Sequence, residues 1–193
     1  ITEDGGNNRI TTGAGNDIIQ AMGSGSNKIN AGDGDNQVIS GNGNDVIITG
    51  AGSDSIFGAG GNDVVRAGAG NDAIDTGAGR DQVAGGAGAD KFILSNLNDK
   101  DYVRILDFKA SDADKIVMNT AVFTALSLDT FTQQFIANTT GIATTAAQRI
   151  IFDTRNGNLY YDSDGSGSQT ADHIATLIGV NVLAADQIML SPS

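Results

Sequence analysis

The sequence predicts an all-β protein: a parallel β-roll, a two-sheet solenoid with 18 residues per coil, followed by a mainly β C-terminal capping region with one short helix. Three observations predict it. A pattern with a period of nine runs through residues 1–92, most of the 27 glycines fall inside it, and alternating apolar segments replace it after Lys91. The expected divisions are therefore 1–92 for the roll and 93–193 for the cap.

The repeat reads Gly-x-Gly-x-Asp-x-apolar. Its acidic or amide position falls at Asn8, Asp17, Asn27, Asn36, Asp45, Asp54, Asp63, Asp72, Asp81 and Asp90. Each step is nine residues except that from Asp17 to Asn27, where one residue is inserted near Met22. A glycine stands two positions before every one of these residues, and Ile, Val or Phe stands two positions after, from Ile10 to Phe92. Glycine enters left-handed turns at little steric cost, and the apolar residue gives each short strand one inward side chain. Two units complete a coil, stacking strands about 4.8 Å apart. That places Asn8, Asn27, Asp45, Asp63 and Asp81 on one flank, and Asp17, Asn36, Asp54, Asp72 and Asp90 on the other.

Such a roll buries one sizeable apolar side chain per unit, a thin core against the entropy of ordering a glycine-rich chain. Stacked carboxylates repel one another as well. A divalent cation between turns reverses that repulsion, and calcium suits a shell of carboxylate and carbonyl oxygens. Zinc or copper would want His or Cys, and the chain has one histidine, His173, and no cysteine. The competing structure is a metal-free glycine solenoid with asparagine ladders.

The formal charge of -12 and pI near 4.1 argue against nucleic acid or an anionic membrane as partner. No apolar run is long enough to span a membrane, and the absence of cysteine removes disulfides as a brace. The chain begins in mid-pattern without Met and reads as part of a longer protein.

The units GAGND, GNGND, GAGSD and GAGAD closely resemble the RTX nonapeptide repeats of type I-secreted bacterial proteins. The resemblance implies a calcium-bound parallel β-roll that is disordered inside the cell and folds after export. It places each calcium between turns two units apart, giving the pairs Asp45/Asp63, Asp63/Asp81, Asp54/Asp72 and Asp72/Asp90. Carbonyls of Gly41, Gly43, Gly50, Gly52, Gly61, Gly68 and Gly70 would complete those sites. Asn27/Asp45 and Asn36/Asp54 depart from the pattern, because an amide brings oxygen without charge, so weaker occupancy is expected there, and Asp17 lies in the first coils beside the inserted residue.

After Lys91, the segments KFILS, YVRILDF and DKIVMN read as strands. SLDTFTQQFIA, residues 127–137, has helical spacing with Ser127 or Asp129 as N-cap, and QRIIFDTRNGNLYYDSD reads as a hairpin around Asn156 and Gly157. DHIATLIGV and ADQIML supply the closing strands. ILDFKASDADKIVM, LYYDSDGSG and LAADQIML resemble the region that follows the repeats in serralysin-type proteases. That resemblance implies a folding cap with an export signal near its end, and the type I secretion machinery as partner. Asp162 and Asp164 match the start of an EF-hand loop, but His173 stands where its bidentate Glu belongs, so a further calcium and an ordinary Asp-Gly turn both remain open.

The expected function is a calcium-folded export and stabilising module of a secreted or cell-surface protein. It is not itself an enzyme: HExxH, GxSxG and cysteine are all missing. The alternatives are an adhesion or surface-layer module that binds polysaccharide or neighbouring copies, and the C-terminal domain of a secreted hydrolase or epimerase. An ice-binding solenoid would want a threonine ladder, and the repeat position running from Ala14 to Ala87 has none.

Overall fold

The computed structural model describes residues 1–98 and 100–192. Two sheets wind around one core. Numbered in chain order, the first holds β1 (Thr2–Asp4), β3 (Ile18–Met22), β5 (Gln37–Ile39), β7 (Ser55–Phe57), β9 (Ala73–Asp75), β11 (Lys91–Leu94), β13 (Lys115–Asn119) and β18 (Ile188–Ser191). The second holds β2 (Arg9–Thr11), β4 (Lys28–Gly32), β6 (Val46–Thr49), β8 (Val64–Ala69), β10 (Arg80–Ala87) and β12 (Tyr102–Ile105). It continues through β17 (Asp172–Leu177), β16 (Asn158–Tyr161), β15 (Ile150–Asp153) and β14 (Phe135–Asn138).

From β1 to β13 successive strands alternate between the sheets, so each pairs in parallel with the one a full coil away, whereas β15–β16 and β16–β17 pair antiparallel. Val46 faces Val64 and Ile56 faces Ile74, both 18 residues on. The insertion near Met22 stretches the first coils: Arg9 faces Lys28 and Ile18 faces Gln37, both 19 residues on, and the 18-residue step begins with Lys28 facing Val46, with a bulge between Asn30 and Gly32. All ten predicted inward residues, from Ile10 to Phe92, are buried. The second inward position takes small side chains such as Ala21, Ala31, Ser40, Thr49 and Ala67, as the narrow space between the sheets demands.

Both sheets pass across residues 92 and 93 without a break, since β11 pairs with β13 and β10 with β12. Phe92, the last inward residue of the repeats, packs on Phe108 at 6.1 Å between ring centroids. The core then continues through Ile105, Ile116, Met118, Phe152 and Leu177, with Phe123 set edge-on to Tyr161 at 5.1 Å. The β15–β16 hairpin forms as predicted, with Gly157 at φ 76 and its N–H donated to the Asp153 carbonyl at 2.9 Å.

The helix expected over 127–137 is much shorter. A 3-10 turn, Leu128–Thr130, leads into a single α-helical turn, Phe131–Gln134, and the chain then straightens into β14. Neither end of the 3-10 turn nor of the helix is capped by a Ser127 or Thr130 side chain. Instead Gln134 folds back, accepting the Ser127 N–H and donating to the Ala125 carbonyl. Pairing of Phe135 and Ile136 with Ile150 and Ile151 outweighs a marginal helix of this length.

Candidate metal centre

The stacked turns bring the aspartates into two continuous ladders. Each residue's backbone N–H donates to the side-chain Oδ1 of its counterpart one coil on: Asp45 to Asp63, Asp63 to Asp81, and Asp54 to Asp72, all at 2.8 Å, and Asp72 to Asp90 at 3.0 Å. The buried part of each ladder starts on an amide, with Asn27 donating to Asp45 at 2.6 Å and Asn36 to Asp54 at 2.8 Å. Asn27, Asn36 and all six aspartates from Asp45 to Asp90 are buried. Asp17 is half-exposed; its N–H donates to Asn36 Oδ1 at 3.0 Å.

One oxygen of each buried aspartate is thus pinned, and the other is not used. Oδ2 of Asp45, Asp54, Asp63, Asp72, Asp81 and Asp90 is buried and has no hydrogen-bond partner. An unpartnered buried carboxylate oxygen costs several kcal/mol, about 1–3 or more. The glycine carbonyls two residues earlier, at Gly43, Gly52, Gly61 and Gly70, likewise accept no hydrogen bond among the described residues.

These carbonyls face the next coil. A Cβ on Gly61 would lie 2.2 Å from the Gly43 oxygen, one on Gly70 2.0 Å from that of Gly52, and one on Gly68 2.0 Å from that of Gly50. The Gly61 and Gly70 oxygens crowd Gly79 and Gly88 in the same way, and the Gly68 oxygen crowds Gly86. Gly41, at φ 82, sits over the carbonyls of Ala21 and Gly23. Only glycine fits here.

Electrostatics point the same way. Burial first, then the neighbouring Asp81 and Asp45 charges, push the Asp63 carboxyl up to about 8. Asp72 rises to about 7, through burial and then Asp90 and Asp54, and Asp81 to about 6, mainly through burial. Asp45 and Asp90 are raised too, by burial above all. A buried ladder of unpaired carboxylates facing bare carbonyls fits a hard divalent cation. Among the described residues no three acidic or histidine side chains converge on one point. The ladder separates its carboxylates by one coil, so backbone carbonyls must complete any shell.

One rung escaped the sequence pattern. Asp114 is buried, accepts the Asp90 N–H at 3.0 Å on Oδ1, and accepts the Lys109 N–H at 2.8 Å on Oδ2. It ends the ladder with both oxygens satisfied. The legible signal was Asp114 two residues before inward Ile116, although no glycine precedes it at the usual place.

In the 162–170 loop, Asp162 Oδ1 accepts the Asp164 N–H at 3.1 Å, while Asp164 Oδ2 accepts those of Ser168 and Gln169. Asp164 Oδ1 is buried without a partner. His173 stands apart from both ladders. It lies between Tyr102 and Tyr160, with ring centroids 4.6 and 5.4 Å away, and Nε2 meets Thr176 Oγ1 at 2.9 Å.

Residues 4–24, 23–56 and 57–92 match the profile of the RTX calcium-binding nonapeptide repeat (4 copies). Residues 4–92, a little under half of the chain, are thus similar to RTX repeats. The RTX roll is a non-catalytic structural module, and its ligand class is calcium. Here the buried Asp45 to Asp90 ladder and the glycine carbonyls are the groups that would hold the ion, which supplies the positive charge the ladder lacks. No curated protein sequence matches the chain. Among solved structures, it is similar to the solution structure of the AlgE6R3 subunit of the Azotobacter vinelandii mannuronan C5-epimerase. That similarity has 22% identity, covers 92% of this chain and 80% of that one, and has a TM-score of 0.34. No described helix is long and apolar enough to cross a membrane.

Proposed function

We propose that this chain is a calcium-dependent folding module of a larger secreted or cell-surface protein, disordered before type I export and folded in extracellular calcium. The observation that carries this reading is the two ladders of three buried aspartates, each residue with an unpartnered Oδ2. Without a cation their mutual repulsion and desolvation oppose the roll, and with one the same groups hold adjacent coils together. Calcium would lie between coils at Asp45/Asp63, Asp63/Asp81, Asp54/Asp72 and Asp72/Asp90, with the glycine carbonyls completing each shell. Catalysis, where the parent protein has it, belongs to other residues. Asp162 and Asp164 are a weaker candidate, with one free oxygen between them, and an Asp164→Asn variant that binds as much calcium as wild type removes them from the set.

Far-UV circular dichroism during calcium titration, with magnesium as control, tests the proposal. At pH 8, a cooperative coil-to-β transition with calcium alone supports it, and a spectrum already β-rich in chelator contradicts it.

A second reading, adhesion to an anionic polysaccharide, has its own support. Arg9, Lys28, Arg66, Arg80 and Arg104 project from the outer face of the ten-stranded sheet, and none forms a salt bridge among the described residues. No carboxylate occupies an outward position on β2, β4, β6, β8, β10 or β12. Arg80 also stacks over Tyr102 at 5.8 Å. Retention on a polyuronate column that is lost on Arg66→Glu and Arg104→Glu would favour this reading, and no retention would remove it.

A further inference from the structure

Asn27 and Asn36 share the ladder geometry of the aspartates, but their second side-chain atom is a donor. The amide oxygen is fixed first: Asn27 Oδ1 accepts the Asn8 N–H, and Asn36 Oδ1 accepts that of Asp17, both at 3.0 Å. The nitrogen must therefore stand where each aspartate has its idle Oδ2. From there Asn36 Nδ2 donates to the carbonyls of Gly32 at 3.0 Å and Gly34 at 2.8 Å. Asn27 Nδ2 donates to Gly25 at 3.0 Å and Ser40 at 2.9 Å.

Those acceptors are telling. Gly32 and Gly34 lie four and two residues before Asn36, as Gly50 and Gly52 lie before Asp54, and Gly68 and Gly70 before Asp72. The carbonyl two residues before the ladder residue, bare at Gly52 and Gly70 among the described residues, is thus already engaged by an amide N–H at Gly34 and, in the other ladder, at Gly25. Neither asparagine has an unpartnered buried side-chain atom.

We infer that the Asn27 and Asn36 amides occupy the cation's place, so that these two turns close without calcium and the metal requirement begins at Asp45. The inference rests on the proposed calcium reading. The amide supplies donors to the same carbonyls and brings no charge to repel the next rung. The first coils therefore form a metal-independent platform on which the calcium-dependent coils are stacked.

The test counts bound calcium by equilibrium dialysis and follows folding by circular dichroism in four proteins: wild type, Asn27→Asp/Asn36→Asp, Asp54→Asn/Asp72→Asn, and Asp54→Ala/Asp72→Ala. The first variant should gain about one ion per substitution and need more calcium to fold. The second should lose ions yet keep wild-type β content at saturating calcium, whereas the alanine variant should lose both. An unchanged ion count in Asn27→Asp/Asn36→Asp, or asparagine variants that unfold like the alanine ones, overturns the inference. Wild type that binds no calcium overturns the calcium reading itself, an outcome read from a different sample.

Discussion

Asp63 joins its two neighbours in opposite ways: its Oδ1 accepts the Asp45 N–H at 2.8 Å, while its own N–H donates to Asp81 Oδ1 at the same distance. Every interior aspartate is thus both a rung and a support for the next rung. Removing the Asp63 side chain breaks the contact with Asp45, leaves the backbone N–H donated to Asp81, and takes a carboxylate from both calcium sites proposed for Asp45/Asp63 and Asp63/Asp81.

Asp63→Ala and Asp72→Ala should therefore each raise the calcium midpoint of folding about tenfold or more, in line with losing a charge-assisted hydrogen bond of about 1.5–3 kcal/mol. Asp17→Ala, at a half-exposed residue in the first coil, should shift it far less. Equal shifts for all three in a calcium titration would show that the ladder register is wrong.

Acid should partly replace the metal. Burial raises Asp63 to about 8, Asp72 to about 7 and Asp81 to about 6, so the metal-free roll holds protons more tightly than the unfolded chain. Its stability is greatest below about pH 4 and is lost as pH rises through about 6 to 8. In calcium the order reverses, because the ion binds the ionised form. Circular dichroism in chelator should show more β structure near pH 4.5 than near pH 8, and the opposite order would contradict the assignment.

Ala59 is a place to gain stability. It sits at φ 72 where the corresponding turns have Gly41, Gly68, Gly77 and Gly86, all at positive φ. Left-handed backbone costs an L-residue roughly 1–2 kcal/mol, and glycine's extra chain entropy offsets part of that. Ala59→Gly should stabilise the roll by about 0.5–1 kcal/mol in denaturant titration at saturating calcium. Gly70→Ala, whose Cβ would lie 2.0 Å from the Gly52 oxygen, should be strongly destabilising.

Tyrosine fluorescence can ask whether the chain folds as one unit. Tyr102, Tyr160 and Tyr161 all lie beyond the repeats, while the sheets that dominate circular dichroism span both regions. The two signals should change together during calcium titration. Phe92→Ala, which opens the shared core beside Phe108, should cost about 3–5 kcal/mol and separate them.

The ladders were legible because a period of nine encodes them locally: the inward apolar residues and the aspartates recur at fixed offsets, and the roll reproduces those offsets as register. Asp114 was hidden because 24 residues, not 18, separate it from Asp90, so no repeat reports their contact. The 127–137 segment misled for a different reason. Phe131, Gln134 and Phe135 carry helical spacing, but β15, which draws the segment into a strand, comes from residues that follow it by more than a dozen positions. The meaning of Asn27 and Asn36 depended on where the amide nitrogen points, which only the neighbouring carbonyls decide.

The parallel stacking also fixes how the molecule answers to force. Ile1 is held by its backbone nitrogen, which donates to the Ile18 carbonyl, and by its carbonyl, which accepts from Gln20, so tension applied there loads one coil against the next rather than all coils at once. The roll would peel like a zipper, each coil of 18 residues releasing about 60 Å of chain before the following coil feels the pull.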